Sequence, residues 1–305
     1  MREHDLPGAR TRRQRFDDDE PYTLKHRRQR APQVDDNTDA PEVGSWTSWD
    51  AAGVVHGPEP YPDWLVTELA AVDVELGLIK TGKEADVHLV ERGVPGTART
   101  SLLAAKRYRS AEHRMFHRDS GYLEGRRVRE SRVTRAMAGR TSFGRQALAG
   151  QWASAEFAAL VRLWELGSAY GLATVPYPVQ VLGTELMLEF IGDPDGTAAP
   201  RLAQLRPEPG DLADLWRQLV EAMTMLARAG LAHGDLSPYN ILVFRGRLVL
   251  IDLPQVVDVV TNPRGPEFLA RDVAVVAKWF AARGLAAAGD PAPLTAVLLA
   301  DAGVR

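Results

Sequence analysis

The sequence predicts an α+β fold in which strands precede most of the helices, and two observations lead to this prediction. Apolar residues form short strand-like runs over residues 84–90, 100–109 and 172–192. They recur instead at helical spacing over residues 211–230 and 268–285. The chain has 305 residues, of which 45% are hydrophobic, so it can bury a core for one two-lobed domain or for two small domains.

Composition and charge exclude several classes of protein. The chain contains no cysteine, which rules out disulfides and cysteine-based metal sites. Its net charge of -3 gives no global indication of nucleic-acid binding, so any basic surface has to be local. No apolar run of about 18 residues occurs, and the first residues lack the apolar stretch of a signal peptide. We therefore expect a cytoplasmic protein without a membrane partner.

Residues 1–60 carry blocks of mixed charge, such as RTRRQRFDDDE, together with many Pro and Gly residues. Neither helical nor strand periodicity is sustained there, so burial would not offset the entropy that is lost on ordering. We predict a disordered charged tail. The alternative is a basic arm that docks on RNA or on an acidic partner.

From residue 61 onward the pattern predicts regular elements. Residues 63–79 have apolar residues at helical spacing, which predicts a short helix that leads into the first strand. A compact polar loop follows over residues 80–84. Its glycine, Gly82, is weak evidence for a phosphate-binding loop, because the sequence is not a Walker A motif and lacks the full glycine-rich kinase pattern. Residues 150–167 again have the pattern of a helix.

The most informative stretch is residues 231–255, LAHGDLSPYNILVFRGRLVLIDLPQ. NILV and LVLID flank a short polar turn and predict a tight hairpin, with Asn240 at its start and Asp252 at its end. An Asp, an Asn five positions later and a second Asp after a hairpin form the combination that kinase-type phosphoryl transfer requires. Asp235 would accept or orient the proton of the attacking hydroxyl, and Asn240 and Asp252 would hold Mg²⁺ against the phosphates of ATP. Either fragment alone favours a plain turn or strand, whereas their joint spacing favours catalysis.

Two further positions fit the same chemistry. Lys106 lies in an apolar strand. A lysine in such a strand usually extends its ammonium group to the surface. In a kinase-like fold, however, this is the position of the lysine that binds phosphates and pairs with a glutamate on a helix. Glu156, beside the apolar face of the following helix, is the first candidate for this partner, and Glu165 is the second. The backbone from Glu189 to Ile191 lies where a hinge would bond adenine, although an ordinary strand end has the same pattern.

These motifs resemble those of the RIO-type atypical serine/threonine protein kinases over about residues 60–280. The motifs that carry the resemblance, in family order, are TGKEADV at 81–87, Lys106, Glu156, MLEFIG at 187–192, HGDLSPYNIL at 233–242, IDLPQ at 251–255 and NPRGPEFLARD at 262–272. The resemblance implies a trimmed, two-lobed protein-kinase-like fold that lacks the usual activation segment. A small antiparallel-sheet N-lobe would span residues 61–191, and a mainly helical C-lobe would span residues 192–305.

The resemblance also implies residue roles and cofactors. Asp235 resembles the catalytic Asp of the family, and Asn240 and Asp252 resemble its metal ligands, with ATP and Mg²⁺, or alternatively Mn²⁺, as cofactors. Some members are thought to pass through a phosphorylated metal-site Asp, so Asp252 could also be an acceptor. Pro238 departs from the family, because many relatives have an acidic residue there. The residues implied to contact the nucleotide are Thr81, Gly82, Lys83, Glu84, Lys106, Glu156, Glu189 and Ile191.

Residues 107–145 are dense in arginine and form most of a predicted insertion over residues 107–150. Such a segment is either a solvated insertion or a contact for RNA phosphates, for a ribosomal particle or for a phosphorylated partner.

Three functions stay open on the sequence. The first is an ATP- and Mg²⁺-dependent protein kinase that phosphorylates Ser, itself included. The second is an ATPase-type switch in RNA-related or ribosome-related assembly. The third is a small-molecule phosphotransferase of the aminoglycoside or choline kinase kind, against which the short C-terminal region argues. The protein substrate is not identified by any motif.

Overall fold

The computed structural model shows an antiparallel sheet followed by a mainly helical part, which confirms the α+β prediction and is consistent with a trimmed kinase-like fold. The structure describes residues 41, 43–109, 142–169, 171–172, 174–254 and 256–304. None of the helices in these ranges is long and apolar enough to cross a membrane.

The larger sheet has seven strands in the order β1-β3-β4-β5-β7-β6-β2, and all neighbours are antiparallel. Its strands are β1 Ser45–Trp46, β2 Val55–His56, β3 Val72–Thr81, β4 Ala85–Gly93, β5 Thr100–Tyr108, β6 Pro178–Leu182 and β7 Glu185–Glu189. The strands predicted over residues 84–90, 100–109 and 172–192 are confirmed.

The prediction of a disordered tail over residues 1–60 is wrong for its last part. Residues 1–40 and 42 lie outside the described residues, but residues 43–60, here called the N-terminal strap, contribute a strand to each edge of the sheet. Trp49 lies between these two strands and is buried, with its ring stacked on His56 at a centroid distance of 4.1 Å. Each strand of the strap has only two residues, which is too short for alternation to be visible in the sequence.

A buried arginine ties the strap to the sheet. Arg92 of β4 is fully buried and donates to both carboxylate oxygens of Asp73, at 2.7 and 2.9 Å, and to Gln180 at 3.0 Å. Its guanidinium also lies 5.7 Å from the ring centroid of Trp49, while Gln180 donates to Ser48 of the strap at 2.8 Å. A buried charge is stable only when it is paired and hydrogen-bonded, and Arg92 meets both conditions.

The helix predicted over residues 63–79 is wrong. The segment after the strap has turns and irregular structure up to residue 71, and β3 begins at Val72. β3 pairs with β4 from Val72 opposite Gly93 to Thr81 opposite Asp86. The apolar spacing in VDVEL fits a period of two residues as well as a helix, and its β-branched valines favour the strand.

The Arg-rich insertion is shorter than predicted at both ends. Arg107 and Tyr108 belong to β5, and residues 142–150 form the first turns of helix α1, Ser142–Ala169. The part of the predicted insertion at residues 110–141 lies outside the described residues, so the expected RNA contact stays a prediction.

The helical part follows β7 and packs against α1. Its elements are α2 Pro209–Arg228, β8 Leu231–Ala232, β9 Ile241–Phe244, β10 Arg247–Leu250, β11 Val257–Asp258, α3 Gly265–Ala281 and α4 Ala292–Asp301. The hairpin β9–β10 and the helices α2 and α3 confirm the sequence predictions, whereas α4 was not predicted. Leu160 of α1 shares one hydrophobic core with Leu219 of α2, Phe280 of α3 and Leu186 of β7, so α1 is packed between the sheet and the helical part.

Candidate active site

The loop that the sequence predicts to be catalytic, residues 233–240 and here called the catalytic loop, follows the short strand β8, which pairs with β11. Gly234 adopts the left-handed backbone conformation, with φ of 85°, which favours glycine at this sharp turn. Asp272 of α3 holds the loop through two hydrogen bonds. Its carboxylate accepts one from the N–H of Gly234 at 2.7 Å and one from the N–H of Leu236 at 3.0 Å. Burial raises the pKa of Asp272, although His233 and the two N–H groups oppose this effect. The loop therefore presents Asp235 from a backbone that is fixed on both sides.

Asp235 itself faces outward, and 45% of its side chain is exposed. Arg271 of α3 lies beside it, with Nη2 at 3.3 Å from Oδ1 of Asp235. The carboxylate is thus accessible to a substrate hydroxyl from the solvent side.

The hairpin β9–β10 positions the two predicted metal ligands. Asn240 ends a short 3₁₀ turn that begins at Pro238, and its side-chain amide donates to the carbonyl of Asp235 at 2.9 Å. Its own carbonyl accepts the N–H of Ile251 at 3.0 Å just beyond the open end of the hairpin, which places Asp252 one residue further on. Asp252 has a φ of 67°, a conformation that is costly for a non-glycine residue and that is found preferentially at functional sites.

Lys106 lies at the centre of a contact network that we call the Lys106 network, made of Lys106, Tyr108, Glu156 and Asp252. The Nζ of Lys106 lies 2.9 and 2.8 Å from the two carboxylate oxygens of Glu156 and 2.6 Å from Oδ1 of Asp252. The hydroxyl of Tyr108 donates to Glu156, and the N–H of Leu253 donates to the same carboxylate at 3.0 Å. The network joins β5, α1 and the end of the hairpin.

The charges of this network are mutually stabilised. Burial alone would lower the pKa of Lys106, but the carboxylates of Glu156 and Asp252 raise it overall, so the ammonium stays protonated. Burial would raise the pKa of Asp252, but Lys106 and other nearby cations lower it overall. Burial and the neighbouring Glu156 raise the pKa of Tyr108, which stays a hydrogen-bond donor.

The structure selects between the two glutamates that the sequence left open. Glu156 is 1% exposed and contacts Lys106, whereas Glu165 lies on the exposed side of α1. The contact agrees with the sequence, because Glu156 borders the apolar stripe of α1, which packs on the sheet.

The predicted phosphate loop lies at the turn between β3 and β4. Thr81 ends β3, and the N–H of Gly82 donates to the carbonyl of Ala85 at 2.9 Å, which closes a tight turn. Lys83 and Glu84 are exposed at its tip. The turn belongs to the same sheet as Lys106, because β4 pairs with both β3 and β5.

The predicted hinge lies at the end of β7. The side chain of Glu189 accepts the N–H of Tyr177 at 3.0 Å, and burial raises its pKa. The carbonyl of Ile191 accepts the N–H of Ala199 at 2.9 Å. The carbonyl of Ile191 is therefore already occupied within the loop that follows β7.

Sequence reasoning missed four residues of this region. Tyr108 and Asp272 are buried partners of predicted site residues, and although Asp272 ends the motif at 262–272, the sequence does not show contacts across 36 to 48 positions. Arg271 was read only as part of a motif. Lys80 was read as a loop residue, although it lies in β3 and is one of the cations that lower the pKa of Asp252.

The residues present could supply part of the coordination shell of a divalent metal ion. In the described part of the chain, no group of three or more His, Asp or Glu residues could hold a metal by itself. Asn240 and Asp252 supply one amide and one carboxylate side chain at the end of the same hairpin. This small set of oxygen donors suits Mg²⁺, which commonly takes one or two protein ligands and completes its shell with water and phosphate oxygens.

Comparison with known proteins agrees with this geometry. The model of the RIO domain family matches residues 98–291, which is more than half of the chain. The chain belongs to the RIO family of serine/threonine protein kinases. In this RIO chain the matched segment includes the Lys106 network, the catalytic loop and α3, whereas the strap, β3 and β4 precede it.

Individual relatives carry the same family name. The RIO-type serine/threonine-protein kinase Rio1 of Haloferax volcanii is 36% identical over 220 residues, which cover 72% of this chain and 67% of that protein. The serine/threonine-protein kinase rio1 of Schizosaccharomyces pombe is 30% identical over 213 residues, which cover 67% of this chain and 37% of that protein. The serine/threonine-protein kinase RIO3 of Bos taurus is 34% identical over 134 residues, or 41% of this chain and 25% of that protein. The similarity to the yeast and bovine proteins therefore spans well under half of their length.

Proposed function

We propose that this RIO chain transfers the γ-phosphoryl group of ATP to the hydroxyl of a protein serine, its own serines included, with Mg²⁺ as the metal. The observation that carries the proposal is the Lys106 network, in which the strand lysine contacts both the helix glutamate and the Asp that follows the hairpin. The first of these contacts is the lysine–glutamate ion pair that active kinases require, and the second keeps the predicted metal-binding Asp beside that lysine. Family membership favours this function over a small-molecule phosphotransferase.

The nucleotide would bind between the sheet and the catalytic loop. Lys106 would balance the negative charge of the α and β phosphates, and the turn formed by Thr81, Gly82, Lys83 and Glu84 would cover them. Asn240 and Asp252 would hold the metal, which would neutralise negative charge on the phosphates. The backbone of Glu189 and Ile191 would bond the adenine ring. In this arrangement the N-lobe ends near residue 191, and the C-lobe begins at residue 192.

Asp235 would act on the acceptor serine. Its exposed carboxylate accepts the proton of the serine hydroxyl, the serine oxygen bonds to the γ-phosphorus, and the bond from phosphorus to the leaving oxygen of ADP breaks. The positions of the two reactants contribute most of the rate, because little covalent chemistry is left to the protein. Asp272 and Asn240 both hold the backbone that carries Asp235, so they keep this carboxylate in place.

The test uses the full chain with γ-labelled ATP and Mg²⁺ and follows label on protein and free phosphate separately. We compare Asp235→Asn and Asp252→Asn with Asp214→Asn, an exposed aspartate on α2 that serves as the matched control. We expect acid-stable label on serine in the wild type and the control, and a loss of about 10² to 10⁴ in rate for Asp235→Asn with nucleotide affinity retained. Unchanged labelling in both site variants would refute the proposal.

One other outcome would replace the proposed protein kinase activity with a different function. Free phosphate with only a base-labile protein adduct, lost in Asp252→Asn, would favour an ATPase-type switch in which Asp252 accepts the phosphoryl group. The cytoplasmic location, Mn²⁺ in place of Mg²⁺ and a ribosomal partner remain predictions that this experiment does not address.

A further inference from the structure

Arg271 of α3 places a guanidinium beside the exposed carboxylate of the catalytic loop. Its Nη2 lies 3.3 Å from Oδ1 of Asp235, and about half of each side chain is exposed, 54% for Arg271 and 45% for Asp235. The neighbouring residue, Asp272, accepts the N–H groups of Gly234 and Leu236 and so fixes α3 to the loop on either side of Asp235. The position of Arg271 is therefore set by the same helix that holds the loop in place.

The catalytic loop has no cation of its own. Residues 233–240, HGDLSPYN, contain neither Lys nor Arg. Lys106, a basic residue on the sheet side of the site, is held by Glu156 and Asp252, and only 12% of its side chain is exposed. Arg271 thus brings a positive charge to Asp235 from outside the loop, and this charge is accessible from solvent.

Most donors of this guanidinium have no partner in the part of the chain that the structure describes. A guanidinium presents five N–H groups in a planar fork, which suits the oxygens of carboxylates and phosphates. One nitrogen of Arg271 contacts Asp235, and the structure gives the side chain no second hydrogen bond or ion pair within the described residues. The contact at 3.3 Å is also longer than a charge-assisted hydrogen bond usually is. The guanidinium therefore has N–H groups left for an anion that arrives next to Asp235.

We propose that Arg271 is a catalytic residue, which donates to the oxygens of the phosphoryl group while that group is transferred to the acceptor serine. This inference rests on the proposed function, in which Asp235 accepts the proton of the serine hydroxyl. A hydroxyl bonded to Asp235 lies about 3 Å from the carboxylate, and the phosphorus that its oxygen attacks lies next to that oxygen. The transferred group therefore comes within reach of a side chain that already contacts Asp235.

The role of Arg271 is electrostatic. The guanidinium stays protonated and exchanges no proton in the step, in which the serine oxygen bonds to phosphorus and the bond to the leaving oxygen of ADP breaks. In other enzymes of phosphoryl transfer, an arginine from the same chain or from a partner stabilises the charge of the transition state.

The test combines a transfer rate with two binding titrations on the full chain. Arg271→Ala and Arg271→Lys are compared with Arg217→Ala as the matched control, because Arg217 on α2 is 58% exposed and pairs with the exposed Asp214. Transfer of label from γ-labelled ATP to serine is measured at saturating ATP. Affinities are measured for the non-hydrolysable β,γ-imido analogue of ATP and for ADP with aluminium fluoride, which mimics the phosphoryl group during transfer, each with Mg²⁺.

We expect Arg271→Ala to slow the transfer about 10²-fold, as for the loss of one preorganised donor to developing charge. Its affinity for the ATP analogue should equal that of the wild type, whereas its affinity for ADP with aluminium fluoride should fall about tenfold. Arg271→Lys should recover part of both losses, because it keeps the charge but not the planar fork. Arg217→Ala should behave like the wild type in all three measurements.

Three results would overturn the inference and leave the proposed function intact. The first is a wild-type rate, or a wild-type affinity for ADP with aluminium fluoride, in Arg271→Ala. The second is an equal loss of affinity for the ATP analogue, which would show a contact made before transfer. The third is a loss of rate that disappears at high chain concentration, because Arg271 would then bind the acceptor segment. A wild type that transfers no label to serine would instead overturn the proposed function, and this inference with it.

Discussion

Glu156→Gln tests the Lys106 network with the smallest change in shape. Glu156 is 1% exposed and accepts from Lys106, from the Tyr108 hydroxyl and from the N–H of Leu253. Removing one partner of a buried ion pair costs about 3 to 5 kcal/mol in the free energy of unfolding. The lower end applies here, because Lys106 keeps Asp252 and the glutamine oxygen still accepts one N–H. We expect a loss of about 3 kcal/mol, or roughly a hundredfold in the folding equilibrium.

The assay is urea unfolding of the full chain at neutral pH, with Glu165→Gln as the matched control. Glu165 lies on the same helix but is exposed, so its substitution should change stability by less than about 0.5 kcal/mol. The affinity for the ATP analogue should fall in Glu156→Gln alone, because Lys106 loses one of the two groups that orient it. If both variants unfold at the same urea concentration, the Lys106 network does not stabilise the fold, and the reasoning is refuted.

Two further substitutions test the supports of the site and of the sheet. Asp272→Asn leaves one acceptor for the two N–H groups of Gly234 and Leu236. Turnover should therefore fall about 10- to 100-fold, while the affinity for the ATP analogue is retained. A parallel loss of affinity would contradict a role confined to the catalytic loop. Arg92→Met leaves Asp73 without its cation and should lower the free energy of unfolding by about 3 to 5 kcal/mol, which urea unfolding measures. The double variant Arg92→Met/Asp73→Asn should recover part of that loss, and no recovery would show that the ion pair is not its cause.

The local parts of the candidate site could be predicted because they depend on short-range spacing. Asp235, Asn240 and Asp252 lie within 18 positions, and a hairpin of defined length sets their separation. Glu156 could be predicted because a helix face is readable from its apolar residues. The roles of these residues stay predictions, but their positions in the loop, in the hairpin and on α1 follow from sequence pattern alone.

The contacts that could not be predicted depend on tertiary pairing. Asp272 reaches the catalytic loop from more than 30 positions away, and the motif at 262–272 that contains it does not say which residues it contacts. The face that Lys80 takes depends on a bulge, and a shift of one residue reverses the direction of a strand side chain. The wrong prediction of a helix over residues 63–79 also reflects a limit of local pattern. The spacing of its apolar residues did not distinguish the period of a helix from the period of a strand.

The family match begins at a later residue than the folded sheet does, and this difference determines which part of the chain an experiment on the site requires. The match begins at residue 98, whereas β3 and β4 precede it and both flanking strands of the sheet come from the strap. Arg92 and Trp49 also precede it, yet Arg92 of β4 bonds to Gln180 of β6 and lies over the ring of Trp49, so it links both the strap and β4 to β6. A fragment that begins at residue 98 would leave β5 without its pairing to β4, and β5 carries Lys106. The strand that carries Lys106 therefore pairs with residues that the family match does not include, and variants of the site have to be made in the full chain.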